Sequence, residues 1–249
     1  MLARGNASTD PHRRHEGGKR KRGLVDKKDI IRGYDTLGHP PFLGMPAKFH
    51  DLCLQVTGQV AGDVLDIGCG HGVLLERILG KAHPLRAYGC DLSRVMCSRA
   101  VARAPAATIL QANAEDLPFA DDAFDHVFMV EVLEHVPDAV RALREVKRVL
   151  RAKGTFVVAV PNRDWFHYER HLRTREGNRL LDQQWHWYGA AEIRGLLQEC
   201  GFVPVKVRGG ENLYFGGGLP RELEKLALWL VPRLHEKSKR LIILSLNDK

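Results

Sequence analysis

The segment DVLDIGCGHG, residues 63–72, runs a short apolar strand into a loop with glycine at every second position. Glycine reaches left-handed backbone conformations without a steric cost, and its missing side chain lets another group lie against main-chain atoms. An ordinary turn needs one such residue. Gly68, Gly70 and Gly72, in register after the strand Val64–Ile67, ask for a sharper turn and a ligand close to the backbone. The helix written by VLLERIL begins at Gly72 or Val73, and its first N–H groups have no partners within the helix.

The same alternation of strand and helix continues along the chain. Phe49, Leu52, Cys53 and Val56 stand at helical spacing ahead of the loop. LRAYGCD is a second strand ending at Asp91, and Ser93 can cap a helix that must stop by Pro105. TILQ and FDHVFMV are the third and fourth strands; Val140, Leu143, Val146 and Leu150 then recur at helical intervals. Lys153-Gly154 turns the chain into TFVVAV, a fifth strand that is almost wholly apolar. A helix over 190–200 and strands over 203–207 and 241–246 follow, the last two pairing as an antiparallel edge. Continuous apolar strands separated by helices predict an α/β fold, a mostly parallel sheet covered on both faces with right-handed crossovers.

The chain has 249 residues, 44% hydrophobic and 27% charged, enough for one domain with a substantial core. Its net charge of +8 is uneven: residues 1–30 hold nine lysines and arginines against four acidic residues. That tail has too few apolar residues to offset its ordering entropy, so it reads as disordered. Its run Lys19–Arg22 is a candidate contact for RNA or anionic lipid. No run reaches the ~18 apolar residues of a membrane span, and the N-terminus lacks an apolar signal core. Five scattered cysteines with no C-x-x-C pair fit a reducing compartment, so a cytoplasmic protein is expected.

A glycine-rich loop after a first strand also serves dinucleotides, but that fingerprint wants Gly or Ala at position 73, which is Val. Asp66 at the strand end would repel a pyrophosphate, whereas it would attract the ammonium of an amino-acid ligand. Asp91, at the end of the second strand, can accept both hydroxyls of an adenosine ribose. An ammonium at one end and a ribose at the other describe S-adenosylmethionine (SAM).

VLDIGCGHG, YGCDLS, ANAEDLPFADDAFD, EVLEHVPD and LREVKRVLRAKGTFVVAVPN resemble the successive motifs of class I SAM-dependent methyltransferases. The group most resembled is that of the ubiquinone and menaquinone biosynthesis enzymes and their small-molecule relatives, over about residues 60–205. The resemblance implies a Rossmann-like seven-stranded sheet of order 3-2-1-4-5-7-6 with the last strand antiparallel. It implies a methyltransferase domain over 31–249, with an acceptor-covering insertion at about 162–188 and a helical insertion at about 211–237. It places Gly68, Cys69, Gly70 and Gly72 along the methionine part, Asp91 on the ribose and Leu92 against the adenine. The family usually has Asp where this chain has Asn113, whose carbonyl still accepts from the adenine amino group; Ala114 adds a backbone contact. Glu131 falls where the ligand's amino-acid end meets the substrate mouth.

Methyl transfer from a sulfonium releases a neutral thioether, so the donor side needs no general acid. A base is required only to deprotonate the acceptor. His135 in EVLEHV is the candidate. His167, Tyr168, His186, Trp187 and Tyr188 are candidates for an aromatic acceptor wall, or equally for packing within a lid. His167 and His171 are four apart but have no third ligand in pattern, so no metal is expected. In RELEKLALWLV, Leu223, Leu226 and Leu230 form a packing face, leaving Leu228 and Trp229 for a lid, a dimer or a membrane surface. The expected activity is methylation of a hydroxyl or activated carbon on a quinone-like, lipid or natural-product acceptor.

Two other classes compete. One is an RNA methyltransferase docked by the tail, although Val130-Glu131-Val132-Leu133 lacks the Asn/Asp-Pro-Pro-Tyr motif and a Pro-Cys nucleophile. The other is a non-catalytic SAM-binding protein. The oligomeric state is left open.

Overall fold

The computed structural model describes residues 47–80, 85–165, 168, 186–210 and 232–249. The basic tail, His167, His171, most of the 162–188 segment and the helix expected near 219–230 lie outside the described residues. The elements are α1 (Ala47–Thr57), β1 (Gly62–Ile67), α2 (Val73–Leu79), β2 (Leu85–Asp91), α3 (Arg94–Arg103) and β3 (Thr108–Gln111). They continue with β4 (Phe124–Val130), α4 (Ala139–Val149), β5 (Leu150–Pro161), α5 (Ala190–Glu199), β6 (Phe202–Gly210) and β7 (Arg240–Asn247). Two 3-10 turns, Leu133–His135 and Pro232–Lys237, punctuate the chain.

The seven strands form one sheet of order β3-β2-β1-β4-β5-β7-β6, the order the resemblance implies. β1 to β5 run parallel, and β7 lies antiparallel to both β5 and β6. Although the central strands are almost continuously apolar, their pleat sorts the side chains between two layers. Leu65, Ile67, Phe156, Val158, Val160, Leu241 and Ile243 pack with α4 and α5. Val64, Phe128, Val157, Ala159 and Ile242 pack with α1, α2 and Ala100 of α3.

Local chemistry fixes the helix starts. Ser93 caps α3, its hydroxyl accepting from the Met96 N–H at 3.2 Å, as its position predicts. Asp138 caps α4 by accepting from the Arg141 N–H at 2.9 Å. One boundary differs from expectation: β5 begins at Leu150, five residues before Thr155. The Lys153-Gly154 turn is absorbed as an irregularity within the strand, with Lys153 at φ 60 and the β4 register shifting between Phe124 and His126.

The chain goes from β1 to β2 and β3, then returns to β4 on the other side of β1. The carboxyl ends of β1 and β4 therefore flank a topological switch point, where open parallel sheets leave a crevice. The glycine loop leaves β1 there and the 131–135 segment leaves β4 there.

Candidate functional site

The loop after β1 is held against the end of β2. The N–H groups of Gly68 and Cys69 both donate to the Cys90 carbonyl, at 2.7 and 3.0 Å. Gly68, Gly70 and Gly72 all have left-handed φ, at 68, 52 and 83. A Cβ on Gly68 would stand 2.3 Å from Val132 Cγ2, and one on Gly72 would stand 3.0 Å from Ala100 Cα. A Cβ on Gly70 would meet nothing within 4 Å. Packing thus explains two of the three glycines, while Gly70 presents bare backbone to open space.

Asp91 lies beside that backbone. Its Oδ2 accepts from the Gly70 N–H at 2.9 Å and its Oδ1 from the Ser93 N–H at 2.8 Å. A carboxylate presents two oxygens with about four lone-pair sites, a set that suits a vicinal diol. Asp66 is 3% exposed, and burial together with the Asp91 charge pushes its carboxyl well above the usual carboxylate range. A cation brought to Asp66 would offset that penalty. Burial likewise pushes the Cys69 thiol up, so this residue offers backbone rather than a nucleophile.

Leu92 is half-buried at the start of the next turn, and its carbonyl accepts from Gln111 Nε2 at 3.0 Å. Asn113 and Ala114 are half-buried after β3. Asn113 Oδ1 accepts from the Glu115 N–H at 3.2 Å, shaping the turn while keeping a lone pair for a second donor. Asp66, Asp91, Leu92, Asn113, Ala114 and the glycine loop therefore gather at one end of the sheet. A cofactor with an ammonium, a ribose and an adenine fits this set of donors and acceptors.

The segment after β4 forms the other wall. Glu131 has φ 57, its N–H donates to the Ala159 carbonyl at 2.8 Å, and its Oε2 accepts from Arg240 Nε at 2.8 Å. Glu134 is fully buried, with neither carboxyl oxygen hydrogen-bonded. Burial, reinforced by Glu131, pushes this carboxyl well above its ordinary range. His135 follows on the same turn, its Nε2 at 4.0 Å from Glu134 Oε1.

The aromatic candidates divide. Tyr168 and Trp187 touch with ring centroids 5.1 Å apart, and His186 meets Tyr188 edge-on at 4.5 Å. Trp187 and Tyr188 are buried, and the His186 N–H donates to the Glu134 carbonyl, which ties this cluster to the turn after β4. His186 Nε2 lies 2.5 Å from Glu192 Oε1 on α5. His167 is outside the described residues. Among the described residues no group of three or more His, Cys, Asp or Glu is placed to hold a metal, and no helix there is long and apolar enough to cross a membrane.

Three residues of this region were not singled out from the sequence: His50, Glu134 and Arg240. Glu134 had a signal, its position beside His135 in EVLEHV. His50 and Arg240 had none, because only the fold brings α1 and the start of β7 to the switch point.

Residues 65–158 match the family described as a methyltransferase domain. A probable S-adenosylmethionine-dependent methyltransferase of Mycobacterium tuberculosis is 36% identical over 154 residues, 60% of this chain and 52% of that protein. The demethylmenaquinone methyltransferase of Thermotoga maritima is 31% identical over 144 residues, 57% of this chain and 63% of that protein. The chain thus spans between about half and under two thirds of the length of these relatives. Among solved structures, the methyltransferase bound to the Trm112 methyltransferase activator of Haloferax volcanii superposes with a TM-score of 0.64. It is 21% identical, over 90% of this chain and all of that one, a likeness of fold. The family and the named relatives imply S-adenosylmethionine as cofactor.

Proposed function

From the match of residues 65–158 to the methyltransferase domain family, we propose that this chain is an enzyme that methylates a small-molecule acceptor with SAM as donor. The observation that carries the reading is the pairing of Gly70 with Asp91. A left-handed glycine whose Cβ direction is open donates its N–H to a carboxylate poised for a diol.

SAM supplies an activated methyl on a sulfonium that leaves as a neutral thioether. The protein's part is then mainly to bind and align. The backbone of Gly68, Cys69, Gly70 and Gly72 cradles the methionine portion, with Asp66 facing the ammonium. Asp91 takes the ribose hydroxyls, and Leu92, Asn113 and Ala114 receive the adenine. Glu131, pinned by Arg240, shapes the wall toward the acceptor. His135 takes the acceptor's proton, a role suited to an imidazole near neutral pH. Tyr168, His186, Trp187 and Tyr188 enclose the acceptor on the far side.

A hydroxyl or activated carbon on a quinone-like, lipid or natural-product molecule is the proposed acceptor class. It is supported by the demethylmenaquinone relative and the aromatic cluster. Titration calorimetry with SAM and its demethylated product tests the binding step. Labelled SAM with fractionated extract then tests turnover. Binding without label transfer to any fraction would leave a SAM-binding protein and remove the enzymatic reading.

A further inference from the structure

The segment ANAEDLPFADDAFD joins β3 to β4, and beyond Asn113 and Ala114 it is bolted to α4. The Leu117 N–H donates to Glu145 Oε2 at 2.8 Å, and Arg148 donates to the Leu117 and Phe119 carbonyls at 2.9 and 2.7 Å. These bonds lie along the body of the helix. Another lies at its start, where Glu115 Oε1 accepts from the Asp138 N–H at 2.9 Å. Asp138 is the N-cap of α4 and closes the stretch 131–138 that carries His135.

Glu115 is 3% exposed, and a carboxylate that deep has to be hydrogen-bonded. Its bonds reach in two directions. Oε2 accepts from Asn113 Nδ2 at 3.4 Å, while the Glu115 N–H donates to Asn113 Oδ1 at 3.2 Å. A carboxylate only accepts and a backbone N–H only donates. Together they admit one orientation of the Asn113 amide, with its nitrogen toward the carboxylate. The bond from Oε1 to the Asp138 N–H is charge-assisted and shorter. One side chain thus holds the adenine-side amide with one oxygen and the start of α4 with the other. The stretch 131–138 is fastened near both ends: the Glu131 N–H donates to the Ala159 carbonyl at 2.8 Å, and Asp138 is held by Glu115. His135 stands between these fastenings, on a turn closed by its own N–H to the Val132 carbonyl at 2.9 Å. A displacement of Glu115 moves one of the two supports of that turn.

We propose that Glu115 is a positioning residue that couples the adenine end of the crevice to the turn carrying His135, so that filling the first sets the second. This rests on the reading of the crevice as a SAM site and of His135 as facing the acceptor. It gives a role to a buried side chain that touches neither ligand.

Adenosine separates such coupling from direct contact. On the SAM reading it fills the ribose and adenine end, and it lacks the methionine part that extends toward the turn after β4. Wild type, Glu115→Ala, Glu115→Asp and Glu115→Gln are labelled with 15N in the backbone and the histidine rings, with thermal melts to confirm folding. The His135 ring signals are assigned by their loss in His135→Gln. Saturation of wild type with adenosine should shift the Asn113 and Ala114 amides and, with them, the His135 ring. Glu115→Ala removes both oxygens. Glu115→Asp keeps the charge but draws it back from the Asp138 N–H. In both variants the Ala114 amide should still shift while the His135 response is lost. Glu115→Gln keeps a neutral acceptor for Asp138 and should recover about half of that response. A His135 response that survives in Glu115→Ala or Glu115→Asp would overturn the proposal. So would a Glu115→Gln protein as unresponsive as these two, or a wild type in which adenosine shifts Ala114 and leaves His135 unmoved. A wild type in which neither adenosine nor S-adenosylhomocysteine shifts the Gly70 or Ala114 amide would remove the SAM reading itself.

Discussion

Gly70 and Asp91 are joined directly: the glycine N–H donates to the aspartate Oδ2 at 2.9 Å, across the gap between the loop after β1 and the end of β2. The second oxygen accepts from Ser93 at 2.8 Å. One carboxylate therefore shapes the loop and, on the proposed reading, also takes the ribose. Asp91→Ala should remove both. Losing these two bonds should cost about 2 kcal/mol of stability after allowing for the half-exposed setting. SAM affinity should fall at least about tenfold, since the ribose loses its acceptor. Calorimetry alongside denaturant melts checks both, and SAM binding at wild-type strength in this variant would remove Asp91 from the site.

The glycines separate packing from binding. Gly68→Ala adds a methyl at φ 68 that runs into Val132 Cγ2 at 2.3 Å. Left-handed strain and overpacking together should cost about 3 kcal/mol. Gly70→Ala carries the strain at φ 52 but meets no atom within 4 Å, so only about 1 kcal/mol is expected. Its methyl points into open space that the proposed function gives to the cofactor, so SAM affinity should fall far more than stability does. Urea titrations of the two variants, with and without SAM, distinguish the cases. A Gly70→Ala protein that SAM still stabilises fully would place the ligand elsewhere.

Much of this was legible because it is local. A short apolar run such as Phe156–Val160, set between Lys153-Gly154 and Pro161, reads as a strand buried on both faces, and the glycine triplet marks its own turn. Ser93 announced its cap by position. The limits arise where distant segments meet. Glu131 and Arg240 are 109 residues apart, and nothing near either residue announces the other. His50 sits on a helix whose periodicity predicts only packing, and its place beside Arg77 and Arg240 appears once α1 is seen against α2 and β7. His186 reads as a candidate for the acceptor wall or equally for packing within a lid, and the fold adds a contact of its ring with Glu192, six residues on, at the start of α5.

The Glu131–Arg240 pair is almost wholly enclosed, with side chains 9% and 11% exposed. Breaking one side of such a pair leaves the other charge desolvated, so Arg240→Met should destabilise the fold by about 3–5 kcal/mol. Adding Glu131→Gln should recover most of that loss, because the pair's own net worth is small once its desolvation is counted. A double-mutant cycle in urea measures the coupling. Additive effects would mean that the two side chains act independently, with Arg240 held mainly by its packing on Phe49.

Glu134 gives the stability curve a particular slope. Its carboxyl is enclosed without a hydrogen-bond partner, and burial and the neighbouring Glu131 raise it well above the usual range, against a smaller opposing pull from Arg240. The folded protein therefore keeps this proton through a range of pH in which the unfolded chain has already released it. The folded state binds more protons than the unfolded one there, so stability falls as pH rises from the ordinary glutamate range, about 4.3, toward the raised folded value. Glu134→Gln has no proton to lose and should escape that part of the slope. The variant should thus gain on wild type as pH rises above the ordinary glutamate range. Asp66, also raised by burial, adds a slope of the same sign but is present in both proteins and cancels in the comparison. Urea unfolding of the two proteins across that range reads the difference directly. A gap that does not change with pH would mean that Glu134 is already ionised in the folded protein.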